Sequence, residues 1–155
     1  MVTASTVPEA KLRTMLSESA AFRTWTSTAS SALALARIYV GHQATVTRPF
    51  AMIGVKDHVR QDTADGNQIV PDAGSGACLL MFEQAAGSGD ATAELLGFHA
   101  TCVNVINDVW ALSGVSDHLC VRRTRLLSPP MRSVPEEGDS DGDYLDAVYE
   151  VLWRP

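Results

Sequence analysis

Apolar residues recur at helical spacing near the start of the chain. Pro8 suits a first helical turn, and the side predicted to be buried carries Leu12, Met15, Leu16, Ser19 and Phe22. This pattern predicts a helix from about Pro8 to Ala21. An alanine-rich stretch after a serine cap predicts a second helix over Ser31–Tyr39, although its β-branched end fits a helix less well. Residues 1–41 are thus expected to be an N-terminal helical part.

Two apolar runs in the middle of the chain predict strands. The first is "RPFAMIGVKDHVRQD", with buried positions at Phe50, Ile53, Val55 and Val59. The second is "ACLLMFEQ", whose nearly continuous apolar run is typical of a central strand. Residues 61–76, rich in turn-forming types, are expected to be an extended loop between them.

The longest predicted helix, "DATAELLGFHATCVNVINDVWALSG", begins at a cap residue, Asp90, and ends at Gly114. Apolar residues form one stripe along this helix: Leu95, Phe98, Cys102, Val105 or Ile106, Val109 and Leu112.

The last part of the chain predicts two strands separated by a break. "HLCVRRTRLL" is typical of a strand exposed on one side, and Pro129-Pro130 is expected to end it. Residues 128–142 are expected to be an extended loop, with its charged part over Pro135–Gly142. A final strand follows from about Asp143 to Trp153, with Leu145, Ala147, Tyr149, Val151 and Trp153 on one face.

The predicted order is helix, helix, strand, strand, helix, strand, strand. Such an order favours an α+β, two-layer fold: a mainly antiparallel sheet of about four strands, with the long helix and the N-terminal helices on one face. A chain of 155 residues that is 46% hydrophobic is expected to form a single domain, residues 1–155.

Charge is unevenly distributed along the chain. The net charge of −6 argues against sequence-specific nucleic-acid binding, for which a basic face is typical. Arg122, Arg123 and Arg125 cluster on one predicted strand, with Arg123 and Arg125 sharing a face. An acidic run follows, with Glu136, Glu137, Asp139 and Asp141. This polarity fits contact between neighbouring copies or pairing within one chain.

Three cysteines, Cys78, Cys102 and Cys120, have apolar neighbours, which is typical of reduced, buried thiols. The first residues lack the basic and apolar regions of an export signal, and no run of eighteen apolar residues occurs. A soluble protein without membrane contact is therefore expected.

Two sets of residues have a superficial metal-ligand spacing. His99, Cys102, His118 and Cys120 lack the tightly spaced pairs of structural zinc sites. Asp139, Asp141, Asp143 and Glu150 match the first, third, fifth and twelfth places of a calcium loop, but Tyr144 replaces its turn glycine. No metal or cofactor is expected.

Catalytic motifs are equally weak. The chain has no G-x-S-x-G nucleophile motif, and its two "GSG" stretches lack the lysine of a phosphate-binding loop. Glu83, directly after "LLMF", is the one candidate acid or base in an apolar setting. Such a residue more often marks the point where a buried strand meets solvent or an arginine, and we expect no enzyme.

With this order of elements, the chain resembles tailed-phage neck and tail-completion proteins, particularly the tail-terminator group. The resemblance covers most of the chain from Leu12 and rests on "RPFAMIGVKDHVRQ", "GACLLMFEQ", "DATAELLGFHATCVNVINDVWAL", "LCVRRTRLL" and "DYLDAVYEVLW". The chain departs from the usual pattern in its alanine-rich second helix and its long 61–76 loop.

The resemblance implies a virion structural protein, assembled in the host cytoplasm, that forms a ring, commonly of six copies. Such a ring caps the major tail tube protein and joins the tail to the head–tail connector and neck proteins. In a ring of identical subunits one surface meets a different surface of the next copy, which suits the arginine strand and the acidic loop.

Two alternatives stay open at this point. One is a head-closure or adaptor protein of the neck. The other is a small cytoplasmic enzyme or ligand-binding domain, with a pocket between the long helix and the sheet near Glu83, His99 and Cys102.

Overall fold

The computed structural model describes residues 7–57, 76–134 and 142–154, which contain four helices and five strands. The helices are α1 (Pro8–Glu18), α2 (Ala20–Thr26), α3 (Ser31–Leu35) and α4 (Ala91–Leu112). The strands are β1 (Ile38–Val40), β2 (Phe50–Asp57), β3 (Gly76–Ala85), β4 (Cys120–Ser133) and β5 (Tyr144–Arg154).

All five strands form one mixed sheet in the order β1-β2-β3-β5-β4. The short β1 pairs with β2 in parallel, and the other neighbouring strands pair antiparallel. Because β5 inserts between β3 and β4, the last described strand is an inner strand of the sheet. The predicted α+β class is confirmed, with one strand more than expected.

The helices pack on one face of the sheet and share a single apolar core with it. The core residues of α1, α2 and α4 include Leu12, Leu16, Phe22, Phe98, Cys102, Val105 and Val109, and those of the sheet include Ile53, Leu80, Phe82, Ala147, Tyr149 and Val151. The period-two pattern predicted for the last strand is confirmed, since Leu145, Ala147, Tyr149, Val151 and Trp153 are all buried. Alternate residues point to the opposite face, on which none of the described helices packs; we call it the helix-free face.

The first predicted helix is divided at Ser19, whose backbone is extended. Its side chain accepts a hydrogen bond from the Phe22 amide and so caps α2. A polar cap residue in the middle of an apolar pattern therefore ends one helix and begins the next.

The prediction of a helix over Ser31–Tyr39 is wrong beyond Leu35. Ile38–Val40 form β1, because β-branched residues here lie beside the backbone of β2, which supplies hydrogen-bond partners. The Ala51 amide donates to Arg37 O at 3.0 Å, and the Gly41 amide donates to Ile53 O at 2.8 Å.

The predicted break at Pro129-Pro130 is also wrong, since β4 continues to Ser133. β4 lies at the border of the sheet and hydrogen-bonds to one neighbour, β5. Prolines, which have no amide hydrogen, are tolerated in such a strand because its other side has no strand to bind. Its pairing with β5 shifts register around Ser128, which accommodates the additional residues. Residues 128–133 therefore belong to β4, so the first part of the predicted 128–142 loop is wrong. Residues 58–75 and 135–141 lie outside the described part, and they include residues 61–75 of the first predicted loop and residues 135–141 of the second.

Helix α4 forms as predicted. Asp90 Oδ1 accepts hydrogen bonds from the Thr92 and Ala93 amides, and Gly114 adopts a φ of +77° just after the helix. By length and composition alone α4 is long enough and apolar enough to cross a membrane. In the structure its inward face, with Phe98, Cys102 and Val109, lies in the protein core.

Candidate interaction surfaces

The three arginines proposed for contact between copies lie at the start of β4. Arg123 and Arg125 pair with Leu152 and Glu150 of β5, so both face the helix-free side of the sheet. The register shifts between Val121 and Arg123, which leaves Arg122 at an irregularity of the strand. Arg122 and Arg123 are exposed, and neither makes an ion pair with a described residue.

Arg125 differs from its two neighbours because it is paired inside its own chain. Its Nη2 lies 3.1 Å from Glu150 Oε1, and the Glu150 side chain is only 6% exposed while that of Arg125 is 50% exposed. The arginine thus neutralises a buried carboxylate and still reaches solvent. Of the three arginines, Arg122 and Arg123 are therefore the better placed to bind another molecule.

The proposed acidic partners, Glu136, Glu137, Asp139 and Asp141, lie outside the described residues. The acids that follow them are bound internally. Asp143 Oδ2 lies 2.9 Å from Arg132 Nη2, and Glu150 is held by Arg125. Asp143 and Glu150, the two described members of the calcium-like count, are thus engaged by arginines, and Glu150 is buried inside β5.

The four residues with zinc-like spacing do not converge. His99 is exposed on α4, whereas Cys102 is buried in the core. His118 lies between Glu18 Oε2, at 2.9 Å, and the Leu112 carbonyl, at 3.0 Å. Cys120 Sγ accepts a hydrogen bond from Arg154 Nε. Within the described residues, no group of three or more His, Cys, Asp or Glu side chains is arranged to hold a metal.

The two buried thiols are held in their neutral form. Burial raises the pKa of Cys78 to about 12, with a smaller contribution from the Glu9 carboxylate, against a hydrogen bond with Trp153 that lowers it. Burial also raises the pKa of Cys102 to about 12. A nucleophilic or metal-binding cysteine acts as the thiolate, so both thiols have the properties of core residues.

Glu83 binds an arginine, one of the two outcomes considered for it. Arg48 Nη2 and Nε both lie 2.6 Å from Glu83 Oε1. In the strand register Glu83 lies opposite Phe50 of β2 and Asp146 of β5, with its side chain on the helix-free face. Cys102 lies in the core on the other side of the sheet. Glu83, His99 and Cys102 therefore do not line one pocket.

The surface that the sequence pattern did not predict is the outward face of α4. Leu96, Val103 and Trp110 are 64%, 39% and 40% exposed, and intervals of seven residues place them along one line of the helix. At one end of this line, Trp110 Nε1 donates a hydrogen bond to Thr124 Oγ1 of β4 at 3.1 Å. The signal in the sequence was present: α4 carries apolar residues on more than one face.

No model of a known protein family matches the chain, and no curated protein matches it.

Proposed function

We propose that this protein is a structural protein of the tailed-phage virion, a tail-terminator or tail-completion subunit that forms a ring on the tail tube. The observation that carries the proposal is the edge strand β4, which presents Arg122 and Arg123 to solvent at the border of the sheet. Neither arginine has an ionic partner among the described residues, so both are available to an acidic surface of a neighbouring copy.

The order of elements supports the same proposal. A leading helix, a strand pair, a long helix and two closing strands are the features on which the resemblance to tail terminators rests, and the described part of the chain has these elements. The added β1 and the irregular β4 extend this arrangement without changing its order. Self-association through charged surfaces of the same chain requires no cofactor and no catalytic group.

Charge reversal tests the contact. We expect Arg122→Glu/Arg123→Glu to abolish ring formation and tube capping, because it replaces attraction with repulsion at each of the identical contacts of a ring. The matched control is Arg122→Lys/Arg123→Lys, which keeps both positive charges at the same exposed positions and should assemble. Electron microscopy of the pure protein with tail tubes, and light scattering, are the measurements.

Wild-type protein that stays monomeric and does not bind tail tubes would contradict the proposal, as would a double variant that assembles normally. A head-closure or adaptor protein is the alternative position in the neck. It is distinguished by the partner, because such a protein binds the head connector and leaves the end of a tail tube uncapped.

A further inference from the structure

A cavity of about 360 Å³ lies where the beginning of α1, the turn between α4 and β4, and the end of β5 meet. Its volume is within the range of pockets that hold small ligands. Three basic side chains line it, those of Lys11, His118 and Arg154, and none of its lining residues is acidic. Positive charge is therefore concentrated in one concave site, although the chain as a whole has a net charge of −6.

Lys11 contributes an ammonium group that forms no ion pair within the described part of the chain. Two carboxylates of the same helix, Glu9 and Glu18, do not line the cavity. Glu9 is buried, and its charge acts on Cys78 in the core. Glu18 is bound to His118. Lys11 is half-buried at the cavity, so its charge is available to an anion from outside the chain.

Arg154 is positioned beside the cavity by Cys120. The two residues lie opposite each other in the register of β4 and β5, and Arg154 Nε donates a hydrogen bond to Cys120 Sγ at 3.3 Å. This contact orients the planar guanidinium, a group whose shape suits bidentate binding of a carboxylate or phosphate. Cys120 also lines the cavity, which places a thiol next to the proposed binding groups.

The turn between α4 and β4 is a fixed wall of the cavity. The Gly114 amide donates a hydrogen bond to the Leu119 carbonyl at 3.1 Å, which closes the turn. His118 Nε2 lies 2.9 Å from Glu18 Oε2, and its Nδ1 lies 3.0 Å from the Leu112 carbonyl oxygen. Because these contacts hold the wall without a ligand, little conformational entropy is lost when a ligand binds.

The remaining lining is largely apolar. Pro8, Leu119 and Trp153 contribute it, and Leu119 and Trp153 also belong to the protein core. An inorganic ion leaves these side chains in contact with water. An organic anion with a ring or a short aliphatic group covers them, and burial of apolar surface then adds to the attraction between charges.

We propose that this cavity binds a small organic anion. Its carboxylate or phosphate group meets Lys11 and Arg154, and its apolar part packs on Leu119 and Trp153. The site includes neither of the arginines that the ring proposal uses, so each proposal can fail without the other.

Phenyl phosphate is a probe for both halves of the site. In calorimetric titration we expect it to bind several-fold more tightly than inorganic phosphate, which lacks the apolar part, and than benzyl alcohol, which lacks the charge. Lys11→Met should weaken its binding about tenfold, the effect of losing one charge-assisted hydrogen bond. Lys11→Arg, which retains the charge, should bind nearly as well as the wild type and so controls for a defect in folding.

The matched control for charge is Arg23→Met. Arg23 lines a separate surface cavity of about 410 Å³, so this variant removes one positive charge elsewhere and should leave the affinity for phenyl phosphate unchanged. An equal loss of affinity in Lys11→Met and Arg23→Met would show a general attraction to positive charge and would overturn the proposal.

Alkylation of Cys120 shows whether the probe binds in this cavity. We expect phenyl phosphate to slow the reaction of Cys120 with iodoacetamide as the site fills, with mass spectrometry to identify the modified residue. Ala32→Cys places a reference thiol at an exposed position of α3 in the same protein, and its alkylation should not change.

The charge of the reagent gives a second measurement at the same sulfur. Relative to neutral iodoacetamide, negatively charged iodoacetate should react faster at Cys120 than at the Ala32→Cys thiol, because the cavity attracts anions. Lys11→Met should reduce this preference, and Arg23→Met should not.

Three results would overturn the proposal: no binding of phenyl phosphate at millimolar concentrations, binding that leaves the alkylation of Cys120 unchanged, or an affinity no greater than that of inorganic phosphate.

Discussion

Arg48 and Glu83 form an ion pair at 2.6 Å on the helix-free face of the sheet, with their side chains 19% and 9% exposed. Arg48 precedes β2, and Glu83 lies near the end of β3. The guanidinium also lies 5.2 Å from the centre of the Tyr144 ring at the start of β5. One arginine thus connects three parts of the chain at one end of the sheet.

Replacing this arginine is expected to destabilise the fold. Arg48→Met removes the guanidinium that lies beside the largely buried Glu83 carboxylate, which costs about 1–3 kcal/mol in the free energy of unfolding. Arg132→Met, which removes the partner of the more exposed Asp143, should cost less than about 1 kcal/mol. Urea denaturation measures both, and equal losses would contradict the importance of burial at Glu83. Adding Glu83→Gln to Arg48→Met should restore part of the loss.

Asp108 is expected to hold α4 against the start of α2. Its carboxylate accepts hydrogen bonds from Ser19 Oγ and the Ala21 amide. We expect Asp108→Ala to lower the free energy of unfolding by about 1–2 kcal/mol, since it removes both bonds at a helix start. Asp108→Asn, which retains an acceptor oxygen, should lose less. If thermal or urea denaturation finds the two variants equally stable, the hydrogen bonds do not account for the effect.

The cysteines are expected to react with a thiol reagent in two classes. Cys120 is half-buried, whereas Cys78 and Cys102 are buried with a pKa of about 12. At pH 8 the native protein should react rapidly at one thiol and slowly at two, and denaturant should make all three react at similar rates. Mass spectrometry identifies the sites. Rapid native labelling of Cys102 would contradict its place in the core.

Alkaline pH is expected to destabilise the protein through three buried groups. Burial raises the pKa of Tyr149 to about 12, with a smaller contribution from Cys102, and the Tyr149 hydroxyl has no hydrogen-bond partner among the described residues. Cys78 and Cys102 also have pKa values of about 12. In the unfolded chain, thiols ionise near pH 9 and the tyrosine near pH 10, so the unfolded state releases protons first.

Stability is therefore fully present below about pH 9 and falls as pH rises toward 12, by up to about 1.4 kcal/mol per pH unit for each group. Urea denaturation at a series of pH values measures the slope. Cys78→Ala/Cys102→Ala should flatten it between pH 9 and 10, whatever its effect on stability at neutral pH. An unchanged slope in this variant would show that the thiols do not titrate as described.

The sequence pattern predicted elements best where one face of the element is buried. The alternation from Leu145 to Trp153 and the stripe through Phe98, Cys102 and Val109 both identify their buried faces, because burial imposes the period of the element on its apolar residues. The pattern failed at Ile38–Val40, where β1 forms because a neighbouring strand offers hydrogen bonds. That partner is twelve or more residues away and leaves no local signal.

The candidate surfaces show the same limit. The arginines of β4 formed a recognisable cluster in the sequence. The ion pair of Arg125 with Glu150 depends on the register between β4 and β5, and these two residues are 25 positions apart in the chain. Pro129-Pro130 indicated a break because proline is unsuited to a central strand, and only the position of β4 at the border of the sheet makes it compatible. Local chemistry was readable in the sequence, whereas strand neighbours were not.

The prolines and register shifts of β4 affect whether another strand can add to this border of the sheet. A straight, open strand is a template on which the same strand of another molecule can add, and such addition continues into fibres. Pro129 and Pro130 lack amide donors, and the irregular backbone around Ser128 disrupts the regular ladder that a docking strand requires. If copies meet at this border as proposed, side chains rather than backbone hydrogen bonds join them, and such contacts can close into a ring instead of continuing into a fibre.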